Sequence, residues 1–351
     1  MNQSTTKPMK RNRVVDIIRG IAMLLVVLGH TITGCSEGAE TSFLFNIIWS
    51  LQMPLFVVVS GYVTRYSKKV ESFFDLWKYV KRRTIAYLLP WCVWTFVVRG
   101  LLFRKTHLFD VGWLLFHMDA GYWFLTTIWI ICIVFGFASF FAERISPLSK
   151  NKRLIFTGAF YCIGMLVLAC VGLLAGMSFL GIRLTLYYMP FYFIGYLYGQ
   201  LRDKIQSSKS GVVVTEVMVA ICFVCWLYIL VRISVYDLGD NISEIALRAV
   251  TSLTGVIAVC GFCEKTCGND SNSTILGRAI RQIGVDSLSF YVTHGLFLNI
   301  FQMNHFPTAS SVQGALLWGT NFAITLTLTA LSIFLINKNR VLSFVLYGRR
   351  K

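Results

Sequence analysis

Ten apolar stretches of membrane-crossing length leave this chain few folds to adopt. They lie at about 14–34, 43–63, 84–103, 122–142, 154–177, 183–200, 211–233, 246–264, 283–304 and 314–336. A bilayer core about 30 Å thick takes roughly 20 apolar residues as a helix. Lipid offers no hydrogen bonds, so only helices and closed barrels cross it. The pattern predicts an all-α integral membrane protein with about ten transmembrane helices. Residues 14–336 are expected to form one polytopic domain. The sixth stretch is the shortest, and polar residues weaken the eighth. The connections are short, so no soluble domain is expected, and no internal repeat is visible.

Only 14% of the 351 residues are charged and 56% are hydrophobic, against about 25% charged in a soluble chain. A net charge of +17 resembles a nucleic-acid signature until the basic residues are located. They cluster at the N-terminus (Lys7, Lys10, Arg11, Arg13), within 64–83, 143–153, 201–210 and 265–282, and in the tail. The alternate connections carry Glu37, Glu40, Asp110, Asp119, Asp237, Asp240 and Glu244. This is the positive-inside pattern. It places both termini in the cytoplasm, with 1–13 and the basic 337–351 as tails, and an even number of spans agrees. Membrane lipid is the expected surrounding and nucleic acid is not an expected partner.

Most of the ten cysteines, Cys92, Cys132, Cys162, Cys170, Cys222 and Cys225 among them, sit inside apolar stretches, where a thiol behaves as a small hydrophobe. Cys260, Cys263 and Cys267 form C-x2-C-x3-C. Zinc sites usually take four ligands and no fourth follows, so helix packing is the plainer reading and no metal is expected. Ile32-Thr33-Gly34-Cys35 has the look of a lipoprotein cleavage site. Cleavage in front of nine further spans would be unusual, and Asp16 suits a signal peptide poorly.

The first span, RVVDIIRGIAMLLVVLGHT, holds the charges that most need explaining: Asp16, Arg19 and His30. Ionisable residues at membrane depth are costly and point to function. Arg19 and His30 are eleven residues apart, close to three helical turns. They therefore share a face, about 16 Å apart along the axis. Asp16 lies one turn before Arg19, within ion-pair reach.

Other polar groups recur at depth. Span two contains Gln52, Pro54, Ser60 and Gly61, and Gly61 also suits a close helix crossing. Lys81, Arg82 and Arg83 enter span three; they are either a topology anchor or a phosphate site, since Arg offers a fork to phosphate oxygens. Trp123 opens span four. His107, His117, Asp110 and Asp119 occupy an outer connection and read as solvated loop residues. Tyr187, Tyr188, Tyr192, Tyr196 and Tyr198 crowd span six behind Arg183. They suit a sugar cavity and interfacial packing equally. Span nine carries Ser287, Tyr291 and His294.

D-x-x-R-G-I-A followed by Arg-x10-His resembles the opening of the acyltransferase 3 family. These are bacterial integral-membrane O-acyltransferases, the fucose 4-O-acetylase-like proteins among them, many of which acetylate cell-surface sugars. Met53-Pro54-Leu55-Phe56 ending in Ser60-Gly61-Tyr62, then Trp123-Phe124-Leu125, then Ser-Leu-x-x-Tyr-x-x-His ending at His294, are similar to segments of that family in the same order. The resemblance implies a multi-pass protein of the bacterial inner membrane. It implies acetyl-CoA as acyl donor and a carbohydrate hydroxyl as acceptor. Ser60, Trp123, Tyr291 and His294 are then expected near substrate. No periplasmic esterase-like domain of the kind some members carry is expected.

Acyl transfer to an alcohol needs a base, and imidazole titrates near neutral pH. His30 is expected to take the acceptor proton. Arg19, with Arg82 and Arg83, is expected to hold coenzyme A, and Asp16 to orient Arg19. A transporter using Asp16, Arg19 and His30 as a relay, or a membrane anchor, are the alternatives. Dependence on coenzyme A separates them.

Overall fold

The computed structural model describes residues 12–145, 150–267, 274–298, 300, 301, 303 and 305–349. The first eleven residues and Arg350 and Lys351 of the expected tails lie outside that description. Helices make up nearly all of the rest. The β structure among the described residues is a parallel bridge from Glu37 to Thr308.

The expected spans appear as α1 (Arg13–Cys35), α2 (Phe43–Val63), α3 (Phe73–Leu102), α4 (Trp123–Ile145) and α5 (Lys150–Ala175). After them come α6 (Ile182–Gln206), α7 (Lys209–Arg232) and α8 (Ile242–Cys267). Next are the short α9 (Ile275–Val285) and α10 (Ser287–Thr293), then α11 (Val312–Asn337) and α12 (Arg340–Tyr347). Eight of these are long and apolar enough to cross a membrane among the described residues. Two expected spans fall short of that standard. α6 has the length, at 25 residues, but its tyrosines and charges dilute it. The stretch expected at 283–304 is not one helix.

Its break has a clear structural basis. α9 and α10 meet at Asp286, and helix gives way to one tight 3-10 turn over His294–Leu296. Unwound backbone at membrane depth needs partners from protein. α11 supplies them: Thr325 donates to the Phe297 carbonyl at 2.9 Å and Asn321 to that of Leu298 at 2.8 Å. Both residues are fully buried.

α3 begins well before the expected residue 84. Ser72 and Asp75 form a capping box, each side chain accepting from the other's backbone N–H at 3.1 Å. That satisfies two orphan donors and nucleates the helix early. Within α3 the ladder widens to π-helix over Thr84–Leu88 and Val93–Leu102. Pro90 follows the first of these. Lacking an N–H and crowding the carbonyl four residues back, it displaces the regular bonding just before it.

Glycines on both sides close two helix crossings. Gly61 of α2 lies against the Tyr192 carbonyl of α6, and Gly195 of α6 against that of Val58. Gly20 of α1 meets the Ile280 carbonyl of α9, and Gly284 meets that of Asp16. A methyl group at any of the four would strike backbone. The crossings therefore fix α2 to α6 and α1 to α9. α7 sits at the periphery, with Val213, Val214, Val224 and Val231 uncovered, as a lipid-facing helix should be.

The stretch after residue 337 folds back into the bundle. α12 buries Tyr347, whose hydroxyl meets that of Thr293 at 3.1 Å. Trp94 of α3 donates to the Leu346 carbonyl at 2.8 Å. Arg349 pairs with Asp286 at the α9–α10 junction.

Candidate active site

α1 organises the site along its length. Asp16 lies in its first turn and is 1% exposed. A carboxylate is favoured there by the free N–H groups and the helix dipole. Arg281 of α9, a residue of another helix, approaches its Oδ2 at 3.9 Å. Arg19 is half-buried and lies within electrostatic reach of Tyr87 on α3.

Arg83 reaches the same phenol. Its guanidinium carbon stands 5.2 Å from the Tyr79 ring centroid, near Tyr87 and Tyr192. Arg82 and Lys81 are exposed. Successive residues differ by about 100° around a helix, so neighbouring arginines cannot share a face. Arg83 and Arg19 thus both lie within electrostatic reach of Tyr87, and Arg82 lies on the exposed side.

Tyr79, Arg83, Tyr87, Trp91, Thr95 and Arg99 recur every fourth residue along α3. In an α-helix a step of four overshoots a turn by about 40°. In a π-helix, bonded i to i+5, it falls short. Alternating α and π segments offset the two drifts and hold the stripe toward the protein. Four of its polar atoms, Tyr79 Oη, Arg83 Nε, Trp91 Nε1 and Thr95 Oγ1, are buried without a hydrogen-bond partner among the described residues. Unpaired buried polar atoms are rare and ask for an explanation. The site expected on α3 ended at Arg83; the repeat of four extends beyond it, and only the π segments bring that repeat onto one face.

Three turns along α1 from Arg19, His30 is accessible and lines a cavity of about 590 Å³. Its walls come from the end of the bundle where α1 finishes: Trp49 and Gln52 of α2, Trp123 of α4, Tyr187 and Tyr188 of α6, and Arg248 of α8. Trp123 and Tyr188 stack with centroids 5.9 Å apart. Tyr291 also faces the cavity.

His294 stands behind His30, 4% exposed, with ring centroids 5.4 Å apart. Its Nδ1 lies 2.9 Å from the Phe290 carbonyl. A carbonyl only accepts, so Nδ1 carries the proton and Nε2 the lone pair. The His30 ring has no hydrogen-bond partner among the described residues, while its backbone carbonyl accepts from the Thr33 hydroxyl at 3.2 Å. One imidazole is therefore accessible and free to act, and the other is held in a fixed tautomer.

Other candidates lie elsewhere. The Ser60 hydroxyl donates to the Phe56 carbonyl at 2.7 Å, and Ser60 is not among the residues that line the cavity. Tyr192 and Tyr196 pack around Phe135, with centroids 5.4 and 4.8 Å away. Tyr198 donates to Glu264 at 2.9 Å. Asp110 caps a short helix (Val111–Phe116), and His117 stacks on Trp113 at 4.3 Å. The side chain of Asp119 lies outside the described residues. Cys263 is buried and Cys260 and Cys267 half-buried. Among the described residues no group of three or more His, Cys, Asp or Glu is placed to hold a metal ion.

A family profile described as "Acyltransferase domain" matches residues 12–337. The chain is 31% identical over 192 residues to Nodulation protein NolL of Mesorhizobium japonicum, covering 46% of this chain and 49% of that one. It is 24% identical over 345 residues to Nodulation protein NolL of Sinorhizobium fredii, covering 90% and 88%. The chain thus spans about half the length of the first relative and most of the second. No solved structure matches. The profile takes in the α1 charges, the α3 stripe and the paired histidines alike, and the chain belongs to the acyltransferase 3 family of membrane acyltransferases.

Proposed function

We propose that the protein moves an acetyl group from acetyl-CoA to a carbohydrate hydroxyl, with His30 as general base. The observation that carries this reading is the accessible His30, backed by His294, in an aromatic cavity three turns from Arg19, which shares electrostatic reach of Tyr87 with Arg83. Phosphate recognition suits Arg19 and Arg83, whose guanidiniums offer forked donors. The buried, unpaired donors of Trp91 and Thr95 fit the amide carbonyls of a pantetheine arm. The basic connections then face the cytoplasm, the source of coenzyme A, and the cavity faces the other side.

In this reading the acceptor enters the cavity and Trp123, Tyr187 and Tyr188 flank its ring. His30 takes the hydroxyl proton as that oxygen bonds to the acyl carbon. The carbon–sulfur bond breaks, and His30 returns the proton to the leaving thiolate. His294, its lone pair on Nε2 beside the His30 ring, favours the imidazolium that forms. Asp16 and Arg281 hold the start of α1 in register with α9, and so hold the two histidines together.

The test uses purified protein in nanodiscs with acetyl-CoA and a mixture of candidate glycans. Thiol release and acetyl-CoA binding are both followed. Release by wild type that His30→Ala loses supports the reading. A wild type that neither binds acetyl-CoA nor releases thiol refutes it and returns weight to a transport path.

A further inference from the structure

The cavity's charges do not balance. Two guanidiniums, those of Arg183 and Arg248, face it against one carboxylate, Asp240. Arg183 and Asp240 pair with each other at the mouth, where both are well exposed. Arg248 is different. Its terminal nitrogen donates to the Leu238 and Gly239 carbonyls, and its Nε is buried with no partner among the described residues. No carboxylate pairs with it among the described residues. Glu244, one turn earlier on α8, lies close to Gly239 without an ion pair to Arg248 among the described residues. A half-buried cation held by neutral carbonyls alone is incompletely compensated, and removal from water makes that costly.

What surrounds Arg248 indicates what would complete it. Tyr187 and Tyr188 lie within its electrostatic reach, and Ser252 follows one turn on. A guanidinium, a hydroxyl and aromatic faces converge beside His30. Ring faces suit the apolar side of a sugar, and the guanidinium fork suits a carboxylate or phosphate.

We infer that the acceptor is an anionic carbohydrate, a uronate or a sugar phosphate ester, and that Arg248 reads its charge. This rests on the acceptor-site reading above and names the class of acceptor. Hydrogen bonds to charged groups discriminate by about ten- to a hundredfold, and that is the preference expected.

The experiment uses the full chain in nanodiscs of zwitterionic lipid, so that no lipid anion competes. Calorimetric titrations use methyl glucuronide, glucose 1-phosphate and neutral methyl glucoside, with wild type, Arg248→Gln and Arg248→Lys. Expected is binding of at least one anionic sugar about tenfold or more tighter than the neutral one. Arg248→Gln should erase that preference and Arg248→Lys should keep part of it. Which anion binds distinguishes a uronate from a phosphate-bearing acceptor. Equal affinity for the neutral sugar, no binding of either anion into the millimolar range, or a preference unchanged in Arg248→Gln overturns the inference. Acetyl-CoA affinity is read in the same samples. Its retention in Arg248→Gln shows that the fold is intact. Its absence from wild type would count against acyl transfer while leaving the sugar result readable.

Discussion

The unwound segment after His294 should depend on two hydroxyl and amide donors from a distant helix. Thr325 and Asn321 of α11 hold the Phe297 and Leu298 carbonyls at 2.9 and 2.8 Å. Thr325→Val keeps the shape and removes one donor, and Asn321→Leu removes the other. Interhelical hydrogen bonds in membranes average about 0.6 kcal/mol and reach about 1.7. A carbonyl left unpaired in a buried setting adds about 1–3 kcal/mol. Both carbonyls are part-buried, so the double variant should lose about 2–4 kcal/mol of local order. At about 1.4 kcal/mol per factor of ten, that is a roughly thirty- to several-hundredfold fall in the ratio of molecules with His294 seated to those without. The assay is thiol release from acetyl-CoA with a glycan mixture, alongside acetyl-CoA binding and thermal unfolding. Turnover should fall with binding nearly unchanged, and Thr325→Ser, which restores the hydroxyl, should recover most of the single-variant loss. A double variant with wild-type turnover and melting temperature would show that the segment holds itself.

Arg83→Gln should weaken acetyl-CoA binding by about ten- to a hundredfold, while Arg82→Gln, exposed on the other face, should change it little; titration of both variants decides. Gly284→Ala places a methyl against the Asp16 carbonyl, and overpacking of this kind costs about 1–3 kcal/mol. It should lower both melting temperature and turnover by parting α1 from α9, where a Gly-to-Ala change on the exposed face of a helix would stabilise. Tyr347→Phe removes the contact with Thr293, the residue before His294. It should cost about 1 kcal/mol, read as a lower melting temperature and a reduced rate without weaker acetyl-CoA binding.

Much of this was legible from residue patterns. Apolar run length located α1, α2, α4, α5, α7, α8 and α11, because the bilayer demands about 20 apolar residues whatever the tertiary contacts. Helical periodicity placed Arg19 and His30 on one face of α1, and a glycine in an apolar span marked the α2–α6 crossing at Gly61. The break after Thr293 was hidden. The run looks continuous there, and the donors that permit unwinding lie in α11, about thirty residues on. Adjacent Arg82 and Arg83 could not be told apart until the orientation of α3 was known. The α3 stripe was hidden for a related reason. A step of four drifts in an α-helix, and only the π segments bring it onto one face. Ser60 was expected near substrate, but its hydroxyl is spent on the preceding turn. The meeting of His30 and His294 joins positions 264 residues apart and depends on the α1–α9 crossing.

The central claim is that proton abstraction at His30 and donor recognition at Arg19 and Arg83 occupy opposite ends of one path. The most direct measurement compares His30→Ala with wild type for acetyl-CoA affinity and for acetyl transfer to glycan. The account predicts unchanged affinity with transfer reduced by about a hundredfold or more, the usual contribution of a positioned base. Full transfer by His30→Ala would contradict it.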